Sequence, residues 1–338
     1  MVITSSAPTR ICDLGGWTDT WFARYGVVCS LPVWPGVDVT VRAVDAIPGV
    51  HVRLPNVSRA WHWTGALAAT ASPDPLVAAC LEERPVPAGA WQLEVQSQVP
   101  PGASMGTSAS VCVAVLAALD RVRGVSLDRA SLARRAHAIE TERLQQQCGI
   151  QDQWAAAAGG PMRLTMPAYP EAKETRLALS QATCRALTSQ LVVLLLGRGH
   201  QSSAVHAEVV AALRDAGADD PRLQALRRCA GDGAKALVDG DLVRYGEVLV
   251  RNTAAQATLH PSLISGEARR VIAIAAAHDA LGWKVNGAGG DGGSLAVLAA
   301  SPESRSQLIA DVRSRCPSTT SLDVTLARHG VVVHEAAH

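Results

Sequence analysis

The sequence predicts an α+β fold made of two domains, and three features of the chain support this prediction. The 338 residues exceed what a single small core usually holds. The first hundred residues carry mainly strand patterns with one short helix. The rest contains long helical segments and a few short strands. We place the boundary at residue 170, so that the predicted domains span residues 1–170 and 171–338.

The predicted strands are rich in valine and are bounded by proline and glycine. Residues 37–41 alternate between apolar and polar side chains, as in a half-buried strand. Trp61 and Trp63 lie two apart and share one face of a strand. The alternatives are an adenine pocket and, as we favour, packing in the core or at an edge. In chain order, the predicted strands cover residues 2–4, 10–11, 26–41 (with a bend at Pro32 and Pro35), 51–63, 91–95, 191–196, 294–298, 322–326 and 330–334.

The predicted helices follow from apolar side chains at helical spacing and from glycine or proline at their ends. Residues 111–119 are almost all apolar, so we expect this helix to be buried. The helical pattern between residues 204 and 276 is broken near Gly217 and at Pro261. In chain order, the predicted helices cover residues 72–81, 111–119, 127–144, 152–158, 205–214, 223–238 and 245–257.

Composition and charge exclude several classes of protein. The net charge is +1 without a run of lysine or arginine, so we expect no nucleic-acid partner and no membrane partner. The eight cysteines are scattered and form no Cys-x-x-Cys pair, which is typical of free thiols in a reducing compartment. We see no signal peptide and no apolar run long enough to cross a bilayer. We therefore expect a cytoplasmic protein, and we leave open whether it forms a homodimer.

A stretch of small residues, Pro100 to Ser110, lies between a predicted strand and the buried helix. Unpaired N–H groups and the helix dipole at such a helix start attract anions. Gly102 and Gly106 allow the backbone to approach a phosphate closely, and a hydroxyl such as that of Ser108 can reach a metal. The stretch lacks the lysine of the common phosphate loop and the glycine spacing of a dinucleotide site. It is a candidate phosphate site, with an ordinary helix start as the alternative.

Four charged residues are candidates for chemistry. Arg10 ends a predicted strand, and Asp19 follows the Gly15-Gly16 turn, where side chains commonly contact ligands. Glu140 lies near a helix C-terminus, where its charge opposes the helix dipole, and Asp152 opens a helix. The alternatives are a surface ion pair for Arg10, a turn or helix cap for Asp19, a solvated face for Glu140 and a simple N-cap for Asp152.

A second glycine cluster covers residues 282–293 and contains more glycines than a hairpin turn needs. Such a density lets two backbones, or a backbone and a ligand, come close together.

Three motifs in order now resemble the GHMP kinases, the family of galactokinase, homoserine kinase, mevalonate kinase and phosphomevalonate kinase. The first is Ala7-Pro8-x-Arg10-Ile11, leading through Gly15-Gly16 to Thr18-Asp19. The second is the stretch from Pro101 to Ser110. The third is Lys284-x-x-Gly287-Ala288-Gly289-Gly290-x-Gly292-Gly293. The resemblance covers nearly the whole chain.

Two further stretches indicate which members of this family the chain resembles most. Gly149-Ile150-Gln151-Asp152-Gln153-Trp154 is similar to a motif of heptose-phosphate kinases. Gly15-Gly16-Trp17-Thr18-Asp19-Thr20 is most similar to a motif of fucokinases. Both are sugar kinases that act on the anomeric hydroxyl, so the resemblance implies ATP-dependent formation of a sugar 1-phosphate. It also implies an N-terminal domain of ribosomal-protein-S5 type, a ferredoxin-like C-terminal domain and an active site between them.

The resemblance implies roles for individual residues. Asp152 accepts the proton of the attacking hydroxyl or orients that hydroxyl, and Arg10 neutralises charge on the transferring phosphoryl group. Ser108 and Glu140 hold Mg²⁺. The predicted ATP-binding residues are Pro101, Gly102, Ala103, Ser104, Met105, Gly106, Thr107, Ser108, Ala109 and Ser110. The predicted sugar-binding residues are Trp17, Thr18, Asp19, Gly149, Gln151, Gly289 and Gly290.

The chain departs from the family pattern at three positions. Ser104 and Asp291 replace glycines, and Met105 replaces a leucine. A carboxylate at Asp291 would repel phosphate unless it points away or meets the metal. Two alternatives stay open: a kinase for a phosphorylated heptose, with Arg24, Arg198 and His200 as candidates for the extra basic pocket, and a catalytically inactive nucleotide- or small-molecule-binding protein.

Overall fold

A computed structural model of the protein describes residues 1–66, 68–197, 202–213 and 216–336. The strands in this part of the chain are, in order, β1 (Val2–Leu14), β2 (Gly26–Ala43), β3 (Gly49–Leu54), β4 (Arg59–Trp63), β5 (Ala90–Ser97), β6 (Met162–Ala168), β7 (Glu171–Arg176), β8 (Leu191–Leu195), β9 (Gly282–Val285), β10 (Ser294–Leu298), β11 (Thr320–Leu322), β12 (Thr325–Leu326) and β13 (Val332–Ala336).

The helices begin at an Asp or Ser cap in most cases, as local sequence favours. A π-helical turn, Ile139–Arg143, continues the third helix, so the predicted helix 127–144 is divided. In order, the α-helices are α1 (Pro75–Glu83), α2 (Thr107–Val122), α3 (Arg129–Ala138), α4 (Gln151–Ala158), α5 (Gln181–Gln190), α6 (Ser202–Leu213), α7 (Pro221–Asp239), α8 (Leu242–Ala257), α9 (Gly266–Ala277) and α10 (Pro302–Arg315).

The larger sheet has the strand order β13-β1-β2-β5-β3-β4, with β6 and β12 also pairing with β2, and β7 pairing with β6. Its first strand corrects the sequence prediction, because residues 2–4 and 10–11 belong to one continuous strand. The β1–β2 register shifts between Pro8 and Thr9, opposite the segment that contains Pro35. Proline is tolerated at such an irregularity, since no regular ladder hydrogen bond is required there. The strand β2 therefore continues through Pro35, and Pro32 pairs with Arg10 where the register is regular.

The smaller sheet is antiparallel, in the order β11-β8-β10-β9. The strand β8 lies inside it, as the unbroken apolar run of residues 191–196 predicts. Its side chains alternate between two faces. Val192 and Leu194 pack with α9 and α10, whereas Leu191 and Val193 pack with α7 and α8.

The two sheets share a buried cluster. Leu31 and Val33 of β2 belong to the same apolar cluster as residues of α7, α8 and β8. Met105 is fully buried in this cluster, so a methionine fills the position where the family pattern has a leucine. The α+β class predicted from the sequence is confirmed by this arrangement. The boundary at residue 170 stays a prediction, and β7 and β13 extend the larger sheet.

The apolar helix α2 packs against β1, β2 and α4 and is buried, as predicted. Trp63 is buried in the same cluster and Trp61 packs against it, so both tryptophans contribute to the core. None of the helices in the described ranges is long and apolar enough to cross a membrane.

Candidate active site

A cleft of about 750 Å³ opens between the loop before α2, the turn after β9 and the segment before α4. The described residues that line it are Arg10, Gly102, Ala103, Ser104, Met105, Gly106, Thr107, Ser108, Ala109, Glu140, Gln145, Gln146, Gln147, Cys148, Asp152, Gln153, Ala207, Gly287 and Ala288. Eight of the ten predicted ATP-binding residues are among them. Pro101 is exposed elsewhere, and the Ser110 hydroxyl donates to the Pro8 carbonyl oxygen at 2.7 Å.

The loop leaves the start of α2 open to the cleft. Gly106 is the N-cap with φ of 73°, and no side chain of the described residues caps the helix. Ser104 adopts φ of 56°, the left-handed conformation that glycine favours, so the backbone keeps a glycine-like conformation although the residue is serine. The Thr107 hydroxyl is shielded from solvent and has no hydrogen-bond partner within the described ranges. Open backbone N–H groups beside an unpaired hydroxyl fit a phosphate group.

Arg10 and Asp152 meet at the base of the cleft. The Arg10 Nε lies 2.8 Å from Asp152 Oδ1, and its Nη2 lies 3.2 Å from Oδ2. The Arg10 Nη1 donates to the Ser104 carbonyl oxygen, which ties the pair to the loop. Burial alone would lower the pKa of Arg10, but the nearby carboxylates, Asp152 foremost, raise it. Arg10 is therefore buried beneath the partly exposed carboxylate of Asp152, and the two do not form a surface ion pair.

Ser108 and Glu140 also come together in the cleft. The Ser108 hydroxyl donates to Glu140 Oε1 at 2.6 Å, and Gln153 Nε2 donates to Oε2 at 2.5 Å. Burial raises the pKa of Glu140, while these two hydrogen bonds oppose the rise. The neighbouring Glu142 is exposed and lines a separate depression beside α3. Of the two glutamates, only Glu140 contacts Ser108.

Asp19 contacts the start of the helix that carries Asp152. Its Oδ2 accepts a hydrogen bond from the Gln151 backbone N–H at 3.0 Å. Asp19 is only 2% exposed, and it does not line the cleft. Burial raises its pKa to about 6, and the charge of Asp152 adds to the rise, although the Gln151 hydrogen bond opposes it. In this structure Asp19 caps α4, and its predicted sugar contact stays a prediction.

The other predicted sugar-binding residues of the first half also surround Asp19. Gly149 lies so close to the Asp19 carboxylate that a Cβ there would clash with it. Gln151 is buried, and its side-chain oxygen has no hydrogen-bond partner in the described part of the chain. Trp17 is buried against Leu226 and Leu263.

The hydroxyl of Thr18 donates to the Gly15 carbonyl oxygen at 2.7 Å, which stabilises the turn before Asp19. Trp17 and Thr18 therefore shape this turn, and neither of them lines the cleft.

The third motif faces the cleft through different residues from those predicted. Gly287 and Ala288 line it. Gly289 packs against the Leu263 carbonyl, and the Gly290 N–H donates to that carbonyl oxygen at 3.0 Å. Asp291 is exposed and is not among the described cleft residues.

The candidates for an extra basic pocket do not converge among the described residues. Arg24 is exposed and does not line the cleft. Arg198 and His200 lie outside the described residues.

Sequence reasoning missed one wall of the cleft, which consists of Gln145, Gln146 and Gln147. All three are exposed, and Gln145 has φ of 55°. A run of three glutamines directly before the Cys148-Gly149 pair was the available signal. Their amides can donate to and accept from hydroxyl groups. Reasoning from the sequence also missed that Gln153 holds Glu140.

The oxygen donors of the cleft fit a magnesium ion. Mg²⁺ is commonly held by one or two carboxylates together with substrate phosphates. Ser108 and Glu140 would supply the protein side of such a site. Within the described ranges, no group of three or more His, Cys, Asp or Glu side chains could hold a metal by itself.

Comparisons with known proteins agree with this geometry. Residues 75–160 match the model of the GHMP kinases N terminal domain, which confirms the resemblance stated above. These residues include the phosphate loop, Glu140 and Asp152. A galactokinase of Mycobacterium bovis (strain BCG / Pasteur 1173P2) is 28% identical, with 71% of each chain covered.

Solved structures share the fold at low sequence identity. A D-glycero-D-manno-heptose 1-phosphate kinase from Bacteriodes thetaiotaomicron has a TM-score of 0.77 at 16% identity, and all of both chains is covered. The Methanococcus jannaschii mevalonate kinase has a TM-score of 0.76 at 14% identity, covering 96% of this chain and 98% of the other. The Lactococcus lactis galactokinase, solved with galactose, has a TM-score of 0.71 at 16% identity, covering 98% and 95%.

Proposed function

We propose that this protein, a small-molecule kinase of the GHMP type, transfers the γ-phosphoryl group of ATP to the anomeric hydroxyl of a sugar. The observation that carries the proposal is the pair of the buried Arg10 with the partly exposed Asp152 at the open start of α2. Phosphoryl transfer requires mainly positioning and stabilisation of charge. A fixed cation and a carboxylate beside a phosphate loop can supply both.

The loop before α2 binds the phosphates of ATP. Its backbone N–H groups and the Thr107 hydroxyl have no other partner there within the described ranges. Ser108 and Glu140 would hold Mg²⁺, which neutralises phosphate charge when it is bound. The GHMP kinases as a family use ATP as the phosphate donor, and the match to their N-terminal domain covers this loop.

Asp152 accepts the proton of the sugar hydroxyl. Arg10 holds both carboxylate oxygens of Asp152 and so fixes the direction in which the carboxylate points. The buried positive charge of Arg10 also favours the negative charge that develops on the transferring group. Gly106 contributes by lying against the carboxylate, since a Cβ there would be 3.1 Å from Asp152 Cγ.

The names of the similar proteins support a sugar as the phosphoryl acceptor. The curated relative is a galactokinase, and two of the solved neighbours are kinases of sugars by their names. The glutamine wall formed by residues 145–147 suits an acceptor with several hydroxyl groups.

A screen of free and phosphorylated sugars with ATP and magnesium, read by ADP release, tests the proposal. We expect one class of sugar to stimulate ADP release, and NMR of the product to show phosphate on the anomeric oxygen. Asp152→Asn is the matched control, because it keeps the size of the side chain but removes the base. Stimulation only by phosphorylated heptoses would favour the alternative of a kinase for a phosphorylated heptose. ATP binding without stimulation by any sugar would contradict the proposed function.

A further inference from the structure

We propose that Asp13, Gln256 and Lys284 form a buried clamp that positions Gly287 against Arg10. This inference rests on the function proposed above, and it assigns positioning roles to three residues that do not line the cleft. The clamp lies behind the cleft wall, between β1, α8 and β9.

Gly287, in the second half of the chain, lies against Arg10 of the reactive pair. It has φ of 59°, and a Cβ there would lie 2.8 Å from the Ser104 carbonyl oxygen and 3.2 Å from Arg10 Nη2. The Gly287 backbone therefore packs directly on the guanidinium that holds Asp152. A shift of Gly287 would change the space available to Arg10.

Both sides of the Gly287 backbone are held by buried side chains. Its N–H donates to the two Asp13 carboxylate oxygens, at 3.1 and 3.2 Å. Its carbonyl oxygen accepts from Gln256 Nε2 at 3.0 Å. The Lys284 ammonium contacts both of these side chains. It donates to Gln256 Oε1 at 2.8 Å and lies 3.5 Å from Asp13 Oδ1.

Burial of the charged and polar side chains of the clamp costs free energy, which indicates a role beyond filling space. Asp13, Gln256 and Lys284 are each only 1% exposed. Burial lowers the pKa of Lys284, and the charge of Asp13 opposes this. A buried ion pair is often no more stabilising than an apolar replacement, although removal of one partner alone is strongly destabilising. This pair joins the strand that carries Arg10 to the strand that leads into Gly287.

A neighbouring set of hydrogen bonds fixes the same turn to the phosphate loop. Asn286 Oδ1 accepts from the Cys12 N–H at 2.9 Å, and Asn286 Nδ2 donates to Ser294 Oγ at 3.0 Å. The Ser294 hydroxyl then donates to the Ala103 carbonyl oxygen at 2.7 Å. The turn after β9, Arg10 and the loop before α2 are thereby held in one frame.

Kinetics of Lys284→Met and Asp13→Asn test the clamp. Displacing a reacting group by about 1 Å can reduce the rate about 100-fold, so we expect kcat to fall about 100-fold in both variants. The KM for Mg·ATP should change little, because the phosphate loop itself is intact. The matched control is Arg84→Met, which breaks the ion pair of the partly buried Arg84 with the buried Asp120 (2.5 Å), away from the cleft. This control should lose stability without losing kcat.

Hydrogen exchange supplies a readout that does not depend on turnover. In Lys284→Met, amides of residues 284–294 should exchange at least tenfold faster, whereas those of β3 and β4 should not change. Gln256→Met is a milder second variant, which removes only the bond to the Gly287 carbonyl and one acceptor of Lys284. A folded Lys284→Met or Gln256→Met protein with wild-type exchange in residues 284–294 would overturn the clamp, even if no sugar substrate were found. Wild-type kcat in both would overturn it too.

Discussion

Replacement of Asp19 by asparagine is expected to stabilise the protein at neutral pH. Asp19 caps α4 with one carboxylate oxygen, and the asparagine side-chain oxygen can accept the same hydrogen bond from Gln151. Asparagine carries no charge, however, so the variant avoids the cost of burying an ionised group. Asp19→Asn thus separates the hydrogen bond from the charge.

The magnitude follows from the pKa of Asp19. Burial raises this pKa from 3.8 to about 6. A difference of this size corresponds to about 3 kcal/mol of stability that the ionised wild-type protein lacks at pH 7 and above. The direction of the pH dependence follows from proton binding. Between the pKa of Asp19 in the unfolded chain and that in the folded protein, the folded protein binds the proton more tightly. Wild-type stability therefore falls as pH rises from about 4 to about 6, owing to this group.

Urea unfolding of wild type and Asp19→Asn at several pH values measures the effect. The difference in the free energy of unfolding should be close to zero near pH 4, should grow through pH 6 and should level off at about 3 kcal/mol in favour of the variant. Asp128→Asn is the control, since Asp128 is an exposed cap of α3 whose pKa is lowered by its hydrogen bonds to Ser131. That control should gain no stability at high pH.

A stability difference that does not change with pH would refute the reasoning, as would a variant less stable than wild type at pH 7.5. The Asp19→Asn variant also tests the predicted contact between Asp19 and the sugar. Loss of such a contact would raise the KM for the sugar whatever happens to stability.

Three other changes test the reactive groups. Ser108→Ala should raise the magnesium concentration needed for half-maximal turnover, and an unchanged magnesium dependence would place the metal elsewhere. Gly106→Ala should reduce kcat about 100-fold by displacing Asp152, because the new methyl group would lie 3.2 Å from its Oδ2 in a backbone conformation with φ of 73°; Gly124→Ala, whose Cβ would meet open space, is the control. Arg10→Lys should reduce kcat/KM about 10- to 100-fold, since lysine cannot hold both Asp152 oxygens and the Ser104 carbonyl together. Near-normal kcat/KM in Arg10→Lys would show that the charge alone is sufficient.

Local features of the chain were readable from the sequence. The buried helix α2, the interior strand β8 and the helix α4 follow from periodicity and from glycine or polar residues at their ends. The open start of α2 was also predictable, because the glycines and small residues that precede it lie within ten positions of one another. The division of β1 was predicted wrongly, since its continuity comes from pairing with β2.

Tertiary structure alone decided which residues meet. Arg10 and Asp152 are 142 residues apart in the chain, and the distance between them depends on how β1 packs against α4. The burial of Asp19, and so the rise in its pKa, depends in the same way on the fold around α4. The choice of Gly287 over Gly289 and Gly290 as the cleft wall comes from contacts with Leu263 and Asp13. Periodicity and spacing report only on neighbours along the chain, whereas these contacts are set by packing between distant segments.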